Sequence, residues 1–486
     1  MLTVHLRVND AATGQPTPAR LCVSAPDGTH FFPLGRSADF PTGRNEAVGG
    51  VVKLGGQRWF YSDGWCEIAL PAGVPLRVQA SKGPEFRPLD QTVTLGPGQM
   101  TLRFALERWT DPRADGWVSV DTRCHFLTPH DALLEAAAED LDVVNLLATP
   151  QPFPSLDGTA YPTVPNLTAF SGQTPALERH GRSVVVNTLN THPVLGQVAL
   201  LNSHRPVFPL TFGGDETDDW GLCDWCDQCH RKGGLVVWVD AFEPAGGLIG
   251  GEALVAAVLG KIDALEVTDR PRKVPLMPWV YRLWTAGYPV PLVGASGKDR
   301  NTVALGCVRT YARPEPGGRS WVEAARAGHT FVTSGPLLTL RRDGHAVQAE
   351  ARSLTPFLAL DLIANGRLIA TDEPRLDPAS NEYRAALPPT DPPPDSSWLA
   401  ARCRFAAAGV AHTSPLVLGP GRPDPEPDAA ATAASSAAAT AAATLVKLIR
   451  QTRDWVEQAG RFTNPKRREQ LLARCREAAA KLGAEL

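Results

Sequence analysis

The chain is short of several things that would place it at once. It has no apolar run of about 18 residues, so no membrane-spanning helix is expected. It has no basic block, and its 48 Lys+Arg against 51 Asp+Glu leave a net charge of −3. That balance argues against nucleic acid as the main partner. The opening MLTVHLRVND has neither the charged n-region nor the apolar h-region of an export signal. The nine cysteines, an odd number, are scattered from Cys22 to Cys475 without the spacing of a disulfide framework. A reduced, cytoplasmic protein is therefore expected. No nucleophile elbow, phosphate-binding loop or dinucleotide fingerprint is present.

What is present is enough apolar material, 43% of 486 residues, for about two to four packed domains. Forty-four prolines and 43 glycines point to many turns and short strands. Residues 1–107 alternate in short runs broken by turns such as Pro26-Asp27-Gly28 and Pro71-Ala72-Gly73, a pattern that suits a β-sandwich-like domain with a packing role. Residues 108–335 change to near-continuous apolar strands alternating with helices, which predicts an α/β domain with a parallel sheet, closed or nearly closed as a barrel. Strands are expected at Trp117–Cys124, Leu141–Ala148, Ser183–Asn190, Leu235–Phe242, Ala264–Val267 and Val290–Ala295, with helices over 131–140, 219–232, 250–260 and 277–286. Residues 336–418 return to β character. Residues 419–486 read as a linker, an Ala-rich tract and a helical hairpin, its second helix opened by Asn464-Pro465. The hairpin either docks on the body or makes a dimer contact, and docking is the simpler reading.

The stretch Val118 to Ala148 organises the central domain. It reads as strand, helix, strand, with Thr128 as N-cap, Pro129 at the first helical position and Asp131 in the first turn. Leu133, Leu134, Ala137 and Leu141 give the helix an apolar side. Asp121, Arg123 and His125 fall at the carboxyl end of the first strand, where α/β barrels carry their chemistry. Asn187, Asn190, Asp240, Glu266 and Ser296 stand at the ends of later strands. Carboxylates and an imidazole gathered in this way suit a divalent cation that activates water. A second motif, Cys223-Asp-Trp-Cys226-Asp-Gln-Cys229-His230, has the form of a haem-attachment or metal-binding run. It also lies in a helical pattern where cysteines at i, i+3 and i+6 serve as small core residues.

At these residues the sequence resembles the CehA/McbA-type metallohydrolases of the PHP (polymerase and histidinol phosphatase) superfamily. The matching segments are Gly116-Trp117 through Val118-Ser-Val-Asp-Thr-Arg-Cys-His125-Phe, Ala138-Glu-Asp-Leu-Asp-Val-Val-Asn145, Gly233-Gly-Leu-Val-Val-Trp238 and Gly260-Lys-Ile-Asp-Ala-Leu-Glu266-Val. Further along come Val293-Gly-Ala-Ser-Gly-Lys298, Gly306-Cys-Val-Arg-Thr-Tyr311 and Thr330-Phe-Val-Thr-Ser-Gly-Pro336. They follow one another in family order over about residues 105 to 340. The resemblance implies a distorted PHP-like (β/α)7 barrel, and the flanking N- and C-terminal β-sandwich-like domains fit its larger members; the C-terminal helical hairpin read above completes the expected fold. It implies a metal centre of an H-x-H pair, further His and acidic ligands and a late Ser-Asp. Hydrolysis of phosphoester, ester or carbamate bonds would follow.

The ligand positions depart from that pattern. The H-x-H pair reads Arg123-Cys124-His125, and the family's Gly-His reads Gly196-Gln197. Asp240 stands where a later His is expected, and the Ser-Asp reads Ser296-Gly297 with Asp299 two residues on. His125 and Glu266 keep their places. Three functions are compatible with this set. One is a non-catalytic scaffold in which Arg123 replaces metal charge and a pocket of Asp121, Arg123, His125, Asn190, Gln197, Asp240, Glu266 and Ser296 binds a small anionic or ester-type ligand. Another is a hydrolase with a rebuilt mononuclear Zn, Mn or Fe site drawing on His125, Asp240, Glu266 and either His192 or Asp299. The last is a metal or haem protein using Cys223, Cys226, Cys229 and His230.

Overall fold

A computed structural model describes residues 1–35, 49–154, 160–214, 216–315, 320–393, 396–418 and 436–486. It is a mixed α/β structure, rich in strands and carrying seven α-helices among the described residues. None of those helices is long and apolar enough to cross a membrane. The chain divides into two compact units, Met1–Val186 with Ala295–Tyr311, and Asn187–Gly294 with Ala312–Leu486.

In the first unit, alternation of apolar and polar residues builds two sheets that share a core. Leu2–Asp10 lies between Trp65–Leu70, antiparallel, and Thr101–Leu106, parallel. The second sheet runs Val51–Leu54, Gln57–Ser62, Ala19–Ser24, Pro75–Ser81, Leu89–Thr94. Val4, Leu6 and Ile68 from one sheet and Leu21, Val23 and Val78 from the other bury against each other. Beyond them Val118–Cys124 pairs in parallel with Val143–Ala148. The Pro129–Ala138 helix joins the two, opened as expected by Thr128, whose side chain accepts from the Asp131 N–H. Its buried side differs from expectation. Ala132, Glu135, Ala136 and Ala138 face inward, while Leu133 and Leu134 are only half-buried at its flanks. Small alanines allow close approach to the sheet, and Glu135 is admitted because a lysine meets it there.

Ion pairs join the turns of this unit. Asp140, fully buried and at φ +56°, accepts from Arg108 (2.7 Å), Arg113 (2.8 Å) and Arg182. Glu85 accepts from Arg108, Arg113 and the Tyr311 hydroxyl. Burial pushes the Glu85 carboxyl up to about 7. Asp140 is also desolvated, but its ring of guanidiniums prevails and holds it far below the usual carboxylate range.

The second unit contains a sheet in the order Leu292–Gly294, Ala264–Val267, Leu235–Val239, Gly196–Leu201, followed by the 187–192 part of Arg182–His192. The first three run parallel. Gly196–Leu201, which the alternating pattern did not separate from its loop, is antiparallel to both neighbours, so the sheet is mixed rather than parallel throughout. A tight turn at Pro193 to Leu195 makes this a hairpin, and a hairpin can only pair antiparallel. Two β groups follow. Leu337–Asp343, Ala346–Ser353, Glu382–Thr390 and Arg375–Asp377 form one, and Thr330–Thr333, Ala411–Thr413, Trp398–Arg404, Ala359–Ala364 and Arg367–Asp372 lie side by side in the other.

The hairpin helices Ser436–Gln458 and Pro465–Lys481 dock within this unit. Leu445, Ile449, Leu471 and Cys475 share one apolar cluster with Leu254, Val258 and Trp284. The linker expected over 419–428 lies outside the described residues. Helix Leu222–Arg231 begins at Gly221, which has no side chain to cap it. The cap comes instead from Glu252, whose carboxylate accepts from the N–H groups of Leu222 (2.7 Å) and Cys223 (3.2 Å). Arg474 of the hairpin bridges Asp224 (2.6 Å) and Glu252 (3.4 Å), so the docking contact and the cap are one arrangement.

Candidate functional site

The expected site residues fall in both units, and each set has its own geometry. In the first unit the Val118–Cys124 strand carries Asp121, completely buried. Its Oδ1 accepts the backbone N–H groups of Arg123 (3.2 Å) and Ser296 (3.1 Å), and its Oδ2 accepts from Gly306 (2.9 Å). Burial raises the carboxyl to about 6, and these donors hold it from going higher. Asp121 thus ties its own strand to the 296–306 loop.

Arg123 is 3% exposed, and its carbonyl accepts from the Gly297 N–H (3.0 Å). His125 donates its backbone N–H to Lys298 O (2.7 Å), and its ring Nδ1 lies 3.0 Å from the Leu147 carbonyl. A carbonyl only accepts, so that contact places a proton on Nδ1 and directs Nε2 elsewhere. Phe126, next in the chain, sits at φ +73°, a conformation that costs a bulky residue of order 1–3 kcal/mol and is most often held at functional sites. Ser296 Oγ accepts from the Lys298 N–H (3.2 Å), and Asp299 pairs with its neighbour Arg300 (2.9 Å).

Beneath this loop lies a pair that the sequence did not single out. Lys298 Nζ is 3.3 Å from Glu135 Oε2, and both side chains are fully buried. Lys298 also donates to Val303 O (2.8 Å), whereas neither Glu135 oxygen has an aligned hydrogen bond. Burial raises the Glu135 carboxyl to about 7, with Lys298 opposing. The available signal was a Glu at helical spacing between inward-facing alanines, three residues after Ala132.

In the second unit, Gln197 and Asp240 come together, the amide Nε2 donating to Asp240 Oδ2 at 2.7 Å. They line a cavity of about 530 Å³ with Trp238, Phe242 and Glu243. Asp240 at φ +48° and Phe242 at φ +61° bracket the turn that follows the Leu235–Val239 strand. Glu266 is buried on Ala264–Val267.

Two other candidates hold structure. Asn190 Nδ2 donates to Val207 O (2.9 Å) and Pro209 O (3.0 Å), and its Oδ1 accepts from Thr188. His192 Nδ1 accepts from the N–H groups of Val194 (3.1 Å) and Leu195 (2.9 Å), so its proton lies on Nε2, 2.9 Å from Asp218. Asp218 is desolvated, yet the His192 and Arg461 N–H donors hold its carboxyl below the usual range. The Cys223, Cys226 and Cys229 thiols lie fully buried in the apolar cluster, and burial pushes all three up. His230 turns instead to Asp263 at 2.9 Å.

A divalent metal does not fit the donors described. Both Asp121 oxygens are taken by backbone N–H groups, the position before Cys124 and His125 carries a permanent guanidinium, and Asp240 holds an amide. Among the described residues no three His, Cys, Asp or Glu side chains form a group that could hold a metal ion. Compared with family models, curated proteins and solved structures, the chain matches none.

Proposed function

We propose that the chain is a CehA/McbA-like protein with a PHP-type barrel that works as a ligand-binding scaffold rather than as a metallohydrolase. The observation that carries this reading is the Asp121 clamp beside Arg123. The strand that would begin a metal centre has its carboxylate engaged by three backbone donors and a cation in place of its first imidazole. The ligand that suits a strand end bearing Arg123 is small and anionic or ester-type. Residence in the reducing cytoplasm goes with nine cysteines that form no disulfide.

The rival reading is a hydrolase with a mononuclear Zn, Mn or Fe site in which His125 is a ligand. It draws on the His125 ring, whose Nδ1 contact to Leu147 O is the kind that orients ligating histidines. Metal analysis of the purified chain, with turnover of p-nitrophenyl phosphate and p-nitrophenyl acetate after addition of each metal, separates the two. Substoichiometric metal and no metal-dependent turnover are expected. Stoichiometric metal lost on His125→Ala overturns the scaffold reading.

A further inference from the structure

The first unit has a sheet face that its own core does not use. In the three strands Leu2–Asp10, Trp65–Leu70 and Thr101–Leu106, every second side chain enters the apolar core, Leu6, Ile68 and Phe104 among them. The alternate ones, His5, Arg7, Trp65, Glu67, Thr101 and Arg103, therefore share the opposite face. None of the six is buried.

The register sets them in two rows. Trp65, Arg7 and Arg103 lie side by side in one, and Glu67, His5 and Thr101 in the next. Trp65 is 51% exposed, with the His5 ring tilted 34° to it at a centroid distance of 5.7 Å. Arg7 and Arg103 are direct neighbours on strands about 4.8 Å apart. Among the described residues neither guanidinium has a hydrogen-bond or ion-pair partner. Like charges set directly opposite disfavour the pairing, and an anion shared between them reverses the sign.

We infer that this face binds an acidic sugar, its carboxylate taken by Arg7 and Arg103 and the C–H face of its ring lying on Trp65. Polarised C–H groups suit the negative face of an indole ring, and a planar fork of donors matches a carboxylate. Glu67 and Thr101 in the second row supply acceptors for hydroxyl protons. Glu67 also sets a sugar acid apart from an anionic lipid surface, which a carboxylate would repel. The inference rests on this face alone and is independent of the ligand taken at the strand end of Arg123.

Isothermal titration of the full chain with trigalacturonate, maltotriose and citrate tests it, since the second lacks the charge and the third lacks the ring. Trigalacturonate is expected to bind at least about tenfold tighter than either, one charge-assisted hydrogen bond being worth roughly that factor. Trp65→Ala and Arg103→Gln should each weaken it about tenfold or more, and because both side chains are exposed, thermal melting should show both variants folded. Citrate or maltotriose binding as tightly as trigalacturonate, capture of phosphatidylserine vesicles that Trp65→Ala abolishes, no binding of any probe at millimolar concentration, or affinity unmoved in both folded variants overturns it.

Discussion

The buried Glu135–Lys298 pair offers the most demanding test, because its two halves should fail alone and succeed together. Each charge has left water, the separation is 3.3 Å, and neither Glu135 oxygen has an aligned hydrogen bond. Removing one partner strands the other, at a cost of about 3–5 kcal/mol. Lys298→Met is therefore expected to open the Val118–Cys124 strand and its loop by that amount at pH 8. Glu135→Leu should do the same. The double variant fills the space with apolar side chains and should lie within about 1 kcal/mol of the parent or above it. Hydrogen exchange read on peptides covering Val118–Cys124 and Pro129–Ala138 is the assay. A loss of 3–5 kcal/mol accelerates exchange by roughly two to three and a half orders of magnitude.

The pH dependence has a definite sign. The Glu135 carboxyl is raised to about 7 in the fold from 4.5, so the folded chain holds this proton more tightly than the unfolded one. The stabilisation is complete below about 4.5 and is lost as pH rises through 7, about 3 kcal/mol over that window. The Lys298→Met loss should shrink as pH falls below 7, where parent and variant both keep Glu135 protonated. A Lys298→Met chain whose exchange changes less than about fivefold at pH 8, or a double variant as damaged as the two singles summed, would refute the buried-pair argument.

Asp121→Asn leaves one clamp oxygen and should cost about 1–3 kcal/mol near pH 7, read by exchange of the 296–306 loop. Because burial raises Asp121 to about 6, its contribution is present below about 4 and declines as pH rises through 6, so the Asn variant should lose that dependence. Arg474→Met removes the bridge to Asp224 and Glu252 and should expose the hairpin to limited proteolysis, with a loss of about 2 kcal/mol. In the native chain one thiol, the exposed Cys307, should react quickly with an aromatic disulfide reagent; rapid reaction of Cys223, Cys226 or Cys229 would contradict their burial. Arg123→His alone should not create metal-dependent turnover of p-nitrophenyl esters, because Gln197, Asp240 and Gly297 would still depart from the expected ligands; turnover in that variant would show that the site is closer to catalysis than its donors indicate.

Periodicity located the elements well where one rule acted alone. Thr128-Pro129 and Asn464-Pro465 mark helix starts through capping chemistry local to a few residues, and each marks one in the structure. Ala264–Val267 matches residue for residue, a short segment set between Asp263 and Thr268. The inward face of Pro129–Ala138 was not legible, since Glu135 is admitted by Lys298, 163 positions away in the chain. Gly196–Leu201 was missed because a six-residue strand next to another, joined by a tight turn, looks like one irregular segment. The Glu252 cap is invisible for the same reason as the lysine: a helix that lacks its own capping side chain borrows one from far along the sequence. The candidate site shows the same division. Its residue types were legible, whereas their occupation by backbone donors was not.

That occupation decides what His125 can be taken to mean. A histidine where the proposed resemblance expects a metal ligand indicates a metal only if its role there is ligation. Here its main-chain N–H holds Lys298 O and its Nδ1 meets Leu147 O, so the residue joins the 296–298 turn and the neighbouring strand end by two contacts that need no metal. Asp121 does the same through Ser296 and Gly306. Both residues serve a fold that needs this loop in place, and neither contact calls for a cation. If the proposed resemblance holds, the Arg123 guanidinium puts a fixed positive charge where a neutral imidazole is expected. On that proposal the charge at 123 bears on function more directly than the imidazole at 125, whose contacts already have a structural use.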